Sequence, residues 1–175
     1  MRTSDCFLPP SRLVPFPTFK SLSNLCLAPI HKHMEDNGLA PKLYGYAEAK
    51  GAPTAYVMEY FDSCAWETLY QFLKSDAAAV DRTQLQEALD GIIEKLESKK
   101  YVRGDLRNNN IMIRTDVMDK SVELKVIDFD WAGEAGQVCY PAERNREIQW
   151  PGKAGGPIEQ DHDLKMVDSW MKDLQ

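Results

Sequence analysis

The sequence lacks any long apolar segment. No apolar run approaches the roughly 18 residues that a membrane-spanning helix needs. Residues 1–30 contain no uninterrupted apolar core of the kind that a signal peptide carries. We therefore expect a protein that neither crosses a membrane nor is secreted.

An excess of positive charge is also missing. The chain has 21 Lys and Arg against 27 Asp and Glu, which gives a formal net charge of −6. Nucleic acids and anionic membrane surfaces attract proteins through a basic face. The composition therefore predicts neither nucleic acid nor a membrane as a partner.

Cysteine is sparse and irregularly spaced. The four cysteines, at positions 6, 26, 64 and 139, show neither paired metal-ligand spacing nor the density of a disulfide framework. We expect reduced thiols in the cytoplasm or nucleus. His31 and His33 lie near Glu35, but at helical spacing their side chains would diverge, so we expect no metal there.

What the sequence does contain is a group of polar residues around two short strands. Residues 102–110 place Asp105 and Asn110 five positions apart. Residues 111–113 and 122–126 alternate apolar and polar side chains, which predicts a hairpin. Antiparallel strands return the chain to its starting edge, so Asn110 and Asp128 should lie at the same end.

These residue types suit phosphoryl transfer. The reaction needs a carboxylate near the acceptor hydroxyl and oxygen ligands for magnesium near the phosphates. Asp105 would orient the hydroxyl, Asn110 would hold one metal ion, and Asp128 would join metal and nucleotide. Polar clusters such as residues 108–110 are also ordinary turn chemistry, so this spacing carries weight only with the elements around it.

The segments before residue 102 predict elements that fit this interpretation. Residues 55–60 predict a buried strand that ends in a polar hinge, and residues 66–73 predict a short helix. Residues 85–96 predict a longer helix, with Asp81 or Thr83 available to cap it.

From about residue 37 to residue 170 the chain resembles the protein-kinase-like superfamily. Its Gly104-Asp105-Leu106 loop is more similar to aminoglycoside-phosphotransferase-like and fungal kinase-like proteins than to signalling kinases. The resemblance implies an α+β protein-kinase-like fold, mainly the helical C-lobe with the hinge and a remnant of the N-lobe sheet. It would occupy residues 31–175, after a flexible, proline-rich tail of residues 1–30.

The resemblance also implies roles for individual residues. Met58 takes the gatekeeper place, and the backbone of Glu59 and Phe61 would hydrogen-bond adenine. Arg107 stands where many kinases carry a lysine that reaches the transferred phosphate. The implied cofactors are ATP and Mg²⁺, and the implied acceptor is a hydroxyl of an unknown protein or small molecule.

Several features depart from the family pattern. No G-x-G-x-x-G motif and no V-A-I-K lysine occurs, so the domain resembles an N-terminally truncated kinase. Arg103 replaces the usual His and needs a carboxylate partner, for which Asp128 and Asp163 are the candidates. Asp130 replaces a glycine after Asp128-Phe129, which removes backbone freedom at that point.

Two further segments have open interpretations. Asp163, or less readily Asp161, would be the buried aspartate that hydrogen-bonds the backbone of the loop at residues 102–110; a helix N-cap explains either residue equally well. Residues 131–157, rich in Gly and Pro, predict an activation-like, substrate-facing loop.

Two functions therefore compete. The first is an ATP- and magnesium-dependent phosphotransferase that is impaired in this chain, because the glycine-rich strands and the lysine are missing. The alternative is a pseudokinase-like binding module, or a truncated kinase relic, without catalysis.

Overall fold

A computed structural model describes residues 27–47, 50, 55–75, 82–116 and 121–172. Residues 1–26, which make up most of the predicted tail, and the proposed capping residue Asp81 lie outside this part. The first helix begins at Leu27, within the segment predicted as tail.

The described chain is an α+β structure. Its helices are α1 (Leu27–Asp36), α2 (Leu69–Ser75), α3 (Arg82–Glu97) and α4 (His162–Lys172). Its strands are β1 (Leu43–Ala47), β2 (Ala55–Met58), β3 (Glu67–Thr68), β4 (Tyr101–Val102), β5 (Ile111–Thr115), β6 (Val122–Val126) and β7 (Gly133–Glu134).

The predicted hairpin is confirmed as β5 and β6. The two strands pair antiparallel from Ile111 opposite Val126 to Thr115 opposite Val122. Ile111, Ile113, Leu124 and Val126 are buried, because alternate side chains of each strand face the core. β3 extends this sheet beside β5, while β1–β2 and β4–β7 form separate antiparallel pairs.

Helix α3 supplies much of the core. Its buried positions recur at three- and four-residue steps, as the sequence predicted: Leu85, Leu89, Ile92, Ile93 and Leu96. This stripe belongs to one cluster with α1, α2, α4 and the β5–β6 hairpin. Beyond α3, Lys100 turns the chain toward β4 with a φ of 57°.

Two local predictions are wrong. The short helix begins at Leu69, and Trp66 precedes it, because Glu67 and Thr68 pair with β5 as a strand. Strand β2 is not buried: Val57 and Met58 are 46% and 39% exposed. In the described chain β2 pairs only with β1, so it is an edge strand of a two-stranded sheet.

Residues 131–157 fold back on themselves. Backbone hydrogen bonds join Tyr140 to Gly155 and Gly156, and the Ile158 N–H donates to the Val138 carbonyl at 2.8 Å. A second core cluster of Val102, Tyr140 and Ile158, with Trp131 and Trp150 packed on it, supports this loop. No helix in the described ranges is long and apolar enough to span a membrane.

Candidate active site

The Asp105 loop, residues 102–110, runs from β4 into a short 3₁₀ turn and then into β5. Gly104 fixes its course with a φ of +80°, a conformation that L side chains rarely adopt. A Cβ atom at Gly104 would lie 2.7 Å from Cδ1 of Ile158 and 3.2 Å from the Trp131 carbonyl oxygen. The glycine is therefore required by both conformation and space.

Asp105 is buried and held by two neighbours on its own loop. Arg107 donates from Nη2 to Oδ2 at 2.7 Å and from Nε to Oδ1. Asn110 donates from Nδ2 to Oδ2 and to the Asp105 carbonyl, each at 3.0 Å. The hydrogen bond to Asp105 is the main cause that raises the pKa of Arg107.

Asn110 and Asp128 lie at the same end of the hairpin, as predicted. The Ile127 N–H donates to the Asn110 carbonyl at 2.9 Å, which brings the two segments into contact. Asp128 has a φ of 58°, a left-handed conformation that Asp tolerates better than most residues. Such conformations are common at functional sites.

Asn110 and Asp128 carry the kinds of oxygen that magnesium prefers as ligands. The Nδ2 of Asn110 is used in hydrogen bonds, which leaves Oδ1 as its oxygen for a metal, and Asp128 adds a carboxylate. Magnesium commonly takes one or two protein oxygens and completes its octahedron with phosphates and water. No cluster of three His, Cys, Asp or Glu suited to a metal occurs among the described residues. A site of one amide and one carboxylate does not require such a cluster.

Arg103 is almost fully buried beneath this site. Its Nη1 lies 3.6 Å from Oδ2 of Asp105, and its Nη2 donates to the carbonyls of Ile127, at 2.9 Å, and Asp128. Burial lowers the pKa of Arg103, while the charges of Asp105, Asp128 and Asp163 raise it. The ion pair observed for Arg103 is with Asp105, a partner that the sequence analysis did not name, while the expected partners Asp128 and Asp163 act on its guanidinium through their charges.

Asp163 holds the Asp105 loop from the first turn of α4. Its Oδ2 accepts the Arg103 N–H at 2.6 Å, and its Oδ1 accepts the Gly104 N–H at 2.9 Å. Burial raises the pKa of Asp163, and these two hydrogen bonds oppose that rise. Asp161 instead pairs with Lys165 at 2.7 Å. The contact with the loop backbone therefore belongs to Asp163.

Asp130 does not strain the backbone. The described non-glycine residues with positive φ are Lys100 and Asp128, so residue 130 has an ordinary conformation. The glycine that the family pattern expects is therefore not required here, because the left-handed turn occurs two residues earlier.

The predicted hinge contains Met58, Glu59 and Phe61. The Glu59 N–H donates to the Lys42 carbonyl at 2.7 Å, and its carboxylate lies 3.5 Å from Nζ of Lys125. Phe61 packs on Trp66 with ring centroids 4.8 Å apart. Within the described chain, neither the Glu59 carbonyl nor the Phe61 N–H has a hydrogen-bond partner.

Two tryptophans that contact the candidate site could not be identified from the sequence. Trp170 of α4 donates from Nε1 to the Leu106 carbonyl at 3.1 Å. Trp150 lies beneath two arginines, with its ring centroid 5.4 Å from Cζ of Arg107 and 5.2 Å from Cζ of Arg144. Trp150 follows an irregular segment, so no periodicity could have indicated its neighbours.

No model of a known protein family matches this chain, and no curated protein matches it significantly. Among solved structures it is similar to the PK-1 kinase of the Cydia pomonella granulovirus, with a TM-score of 0.63 and 17% sequence identity. The match covers 91% of this chain and 56% of the viral kinase, so the chain spans about half of that protein's length. The chain therefore has a protein-kinase-like fold.

Proposed function

We propose that this chain is a kinase-like module that binds ATP and Mg²⁺, descends from hydroxyl-directed phosphotransferases and has impaired turnover. We further propose that its relatives are aminoglycoside-phosphotransferase-like and fungal kinase-like proteins. The observation that carries the proposal is the buried Asp105, hydrogen-bonded to Asn110 and Arg107 beside Asp128. This is the set of groups that phosphoryl transfer to a hydroxyl uses.

Asp105 would act on the acceptor. An incoming hydroxyl replaces one of the hydrogen bonds from Arg107 and donates to the carboxylate, which then takes its proton during transfer. Arg107, released from part of this pair, can turn its guanidinium to the transferred phosphate. Arginine suits that role because its planar group binds phosphate through two hydrogen bonds.

Asn110 and Asp128 would hold magnesium, and Glu59 and Phe61 would hold adenine. When bound, magnesium neutralises charge on the phosphates. The Glu59 carbonyl and the Phe61 N–H, unpaired in the described chain, are an acceptor and a donor suited to a purine edge. Met58 lies directly before them at the gatekeeper position.

The proposed impairment of turnover concerns the groups that would bind the phosphates of ATP. In α1, Glu35 accepts from Lys32 of the same helix at 2.9 Å and from the Leu43 N–H at 3.1 Å. With no V-A-I-K lysine in the sequence, Arg107 is the candidate cation for the phosphates. Because Arg107 already holds Asp105 through two hydrogen bonds, a non-catalytic binding module is the second candidate.

Nucleotide binding is tested by thermal unfolding with ATP, with and without magnesium. A ligand at about 100 times its dissociation constant adds roughly 2.7 kcal/mol. At about 2–4 °C per kcal/mol for a chain of this size, the midpoint should rise by about 5–11 °C. Asp128→Asn should abolish the magnesium-dependent part, whereas Asp90→Asn, on an exposed face of α3, should retain it. A flat response would reject the nucleotide site.

Turnover separates the two candidates. Phosphate release from ATP, followed with magnesium present, should be slow or undetectable in the wild-type chain although the nucleotide binds. Asp105→Ala should lower the unfolding midpoint itself, because it leaves Arg103 and Asn110 without their carboxylate partner. It removes no proposed metal ligand, so a magnesium-dependent shift relative to that lower midpoint should remain. Rapid turnover that Asp105→Ala abolishes would contradict the impairment and establish a competent enzyme.

A further inference from the structure

A cleft beside the Asp105 loop is lined by charged side chains that have no role in the proposed nucleotide site. It is open to solvent, has a volume of about 740 Å³ and is lined by residues within 142–154 that include Arg144, Asn145, Arg146 and Trp150. Small-molecule sites commonly enclose about 300–1,000 Å³. We name it the Arg144 cleft.

Arg144 is anchored but not neutralised. Its Nη2 donates to the Gly152 carbonyl, and its guanidinium stacks 4.7 Å from the Tyr140 ring centroid and 5.2 Å from that of Trp150. Its Nη1 is buried and has no hydrogen-bond partner among the residues that the structure describes. A buried donor without a partner is unfavourable, so an acceptor that reached Nη1 would stabilise it.

Arg146 adds a second cation to the lining. It is exposed, and no ion pair joins Arg144 or Arg146 to a described carboxylate. Glu143 is the acidic side chain of the lining and opposes them. In a chain of net charge −6, two arginines without a carboxylate partner on one cleft favour an anionic ligand.

The cleft is connected to Asp105 through one ring. Arg107, whose Nη2 is 2.7 Å from Oδ2 of Asp105, stacks on the same Trp150 as Arg144. Gly152 makes this packing possible, because a Cβ there would lie 2.7 Å from both the His162 and Tyr140 rings. A ligand seated on Trp150 would therefore lie next to the residue that holds the proposed base.

We infer that the Arg144 cleft binds the anionic group of a small hydroxyl compound, a phosphate or a carboxylate, and so defines the acceptor class. That the bound compound is the acceptor of a phosphoryl group rests on the proposed function. Anion binding by the cleft does not, since it can be measured without nucleotide. Arg144 and Arg146 bind the anion, and Trp150 positions the carbon skeleton toward Asp105.

The test is isothermal titration of the full chain with inorganic phosphate and, separately, acetate, in the absence of ATP and magnesium. Either anion should bind, and the stronger of the two identifies the preferred group. Arg146→Gln should weaken that binding by about fivefold or more, the effect of losing one charge-assisted contact. Glu143→Gln should strengthen it. Arg114→Gln, an equal charge change on the hairpin near Glu123, should leave it unchanged.

These outcomes keep the two proposals separate. No binding of either anion, or equal weakening by Arg146→Gln and Arg114→Gln, would overturn the cleft assignment even if ATP and magnesium raise the unfolding midpoint. Anion binding with the predicted pattern in a chain that shows no nucleotide response would support the cleft and reject the nucleotide site. Because Arg146 makes no described contact that the fold requires, its substitution should leave the protein folded.

Discussion

The Asp105 loop is buried on nearly all sides, whereas the β1–β2 hairpin exposes most of its large side chains. Arg103 and Asp105 are 1% and 5% exposed, while Tyr44 and Tyr46 of β1 are 57% and 59% exposed. The loop is held by α4, the β5–β6 hairpin and its own arginines. The proposed base and metal ligands thus depend on a packed core, and the proposed adenine contacts on a two-stranded pair.

This difference indicates where a change should damage the protein. A buried polar group that supports several others cannot be removed without leaving donors unsatisfied. An exposed side chain on a thin sheet has few contacts to lose. Three predictions test this contrast, in decreasing order of the change that we expect.

Removal of Asp163 should have the largest effect. Asp163→Ala leaves the Arg103 and Gly104 N–H groups unpaired, and each unsatisfied buried donor costs about 1–3 kcal/mol. We expect a loss of about 2–6 kcal/mol in the free energy of unfolding, measured by urea denaturation.

Two controls accompany that measurement. Asp161→Asn, beside it on the surface, and Tyr46→Ser, on the exposed hairpin, should each change the free energy of unfolding by no more than about 0.5–1 kcal/mol. Equal losses for Asp163→Ala and Tyr46→Ser would refute the contrast between the two regions.

Gly104→Ala should have the next largest effect. The left-handed backbone costs an alanine about 1–2 kcal/mol, and overpacking against Ile158 and Trp131 adds about 1–3 kcal/mol. Gly155→Ala is the matched control, because Gly155 has a φ of +70° and a Cβ added there would meet no atom within 4 Å. Chemical denaturation of both variants should show the larger loss for Gly104→Ala; equal losses would mean that packing at the loop does not matter.

The smallest effect is a pH dependence from His31 of α1. Its Nε2 lies 2.7 Å from the Pro41 carbonyl, and its ring centroid is 4.9 Å from that of Phe129. Burial lowers the pKa of His31 from 6.5, although the Pro41 carbonyl and Glu35 raise it and Lys32 lowers it further. The unfolded chain therefore binds more protons just below pH 6.5, so stability should fall as the pH drops below that value.

The slope from His31 cannot exceed about 1.4 kcal/mol per pH unit. Burial also lowers the pKa of His162, which adds a dependence of the same sign. Asp163, whose pKa burial raises, contributes with the opposite sign, and urea denaturation between pH 7.5 and 5.5 measures the sum. His31→Gln should reduce the slope without removing it, and a slope unchanged by that substitution would show that His31 does not contribute.

Local patterns predicted the elements that are amphipathic over several residues. The β5–β6 hairpin and the α3 stripe follow from periods that one face of a strand or helix imposes. Trp66 was misassigned because a two-residue strand has no period to detect, and its partner strand lies more than forty positions away in the chain. The exposure of β2 could not be read from its apolar residues, since exposure depends on what packs against it.

At the candidate site, residue types and their spacing were enough to predict which groups are present: a carboxylate, an amide and a second carboxylate that a loop and a hairpin bring together. Long-range packing determined how these groups are held. It paired Arg103 with Asp105, gave Asp163 to the loop backbone, and brought Arg107 and Arg144 onto Trp150. The physical reason is that periodicity and turn chemistry act over a few residues, whereas a buried charge selects its partner from whatever the fold places within a few ångströms.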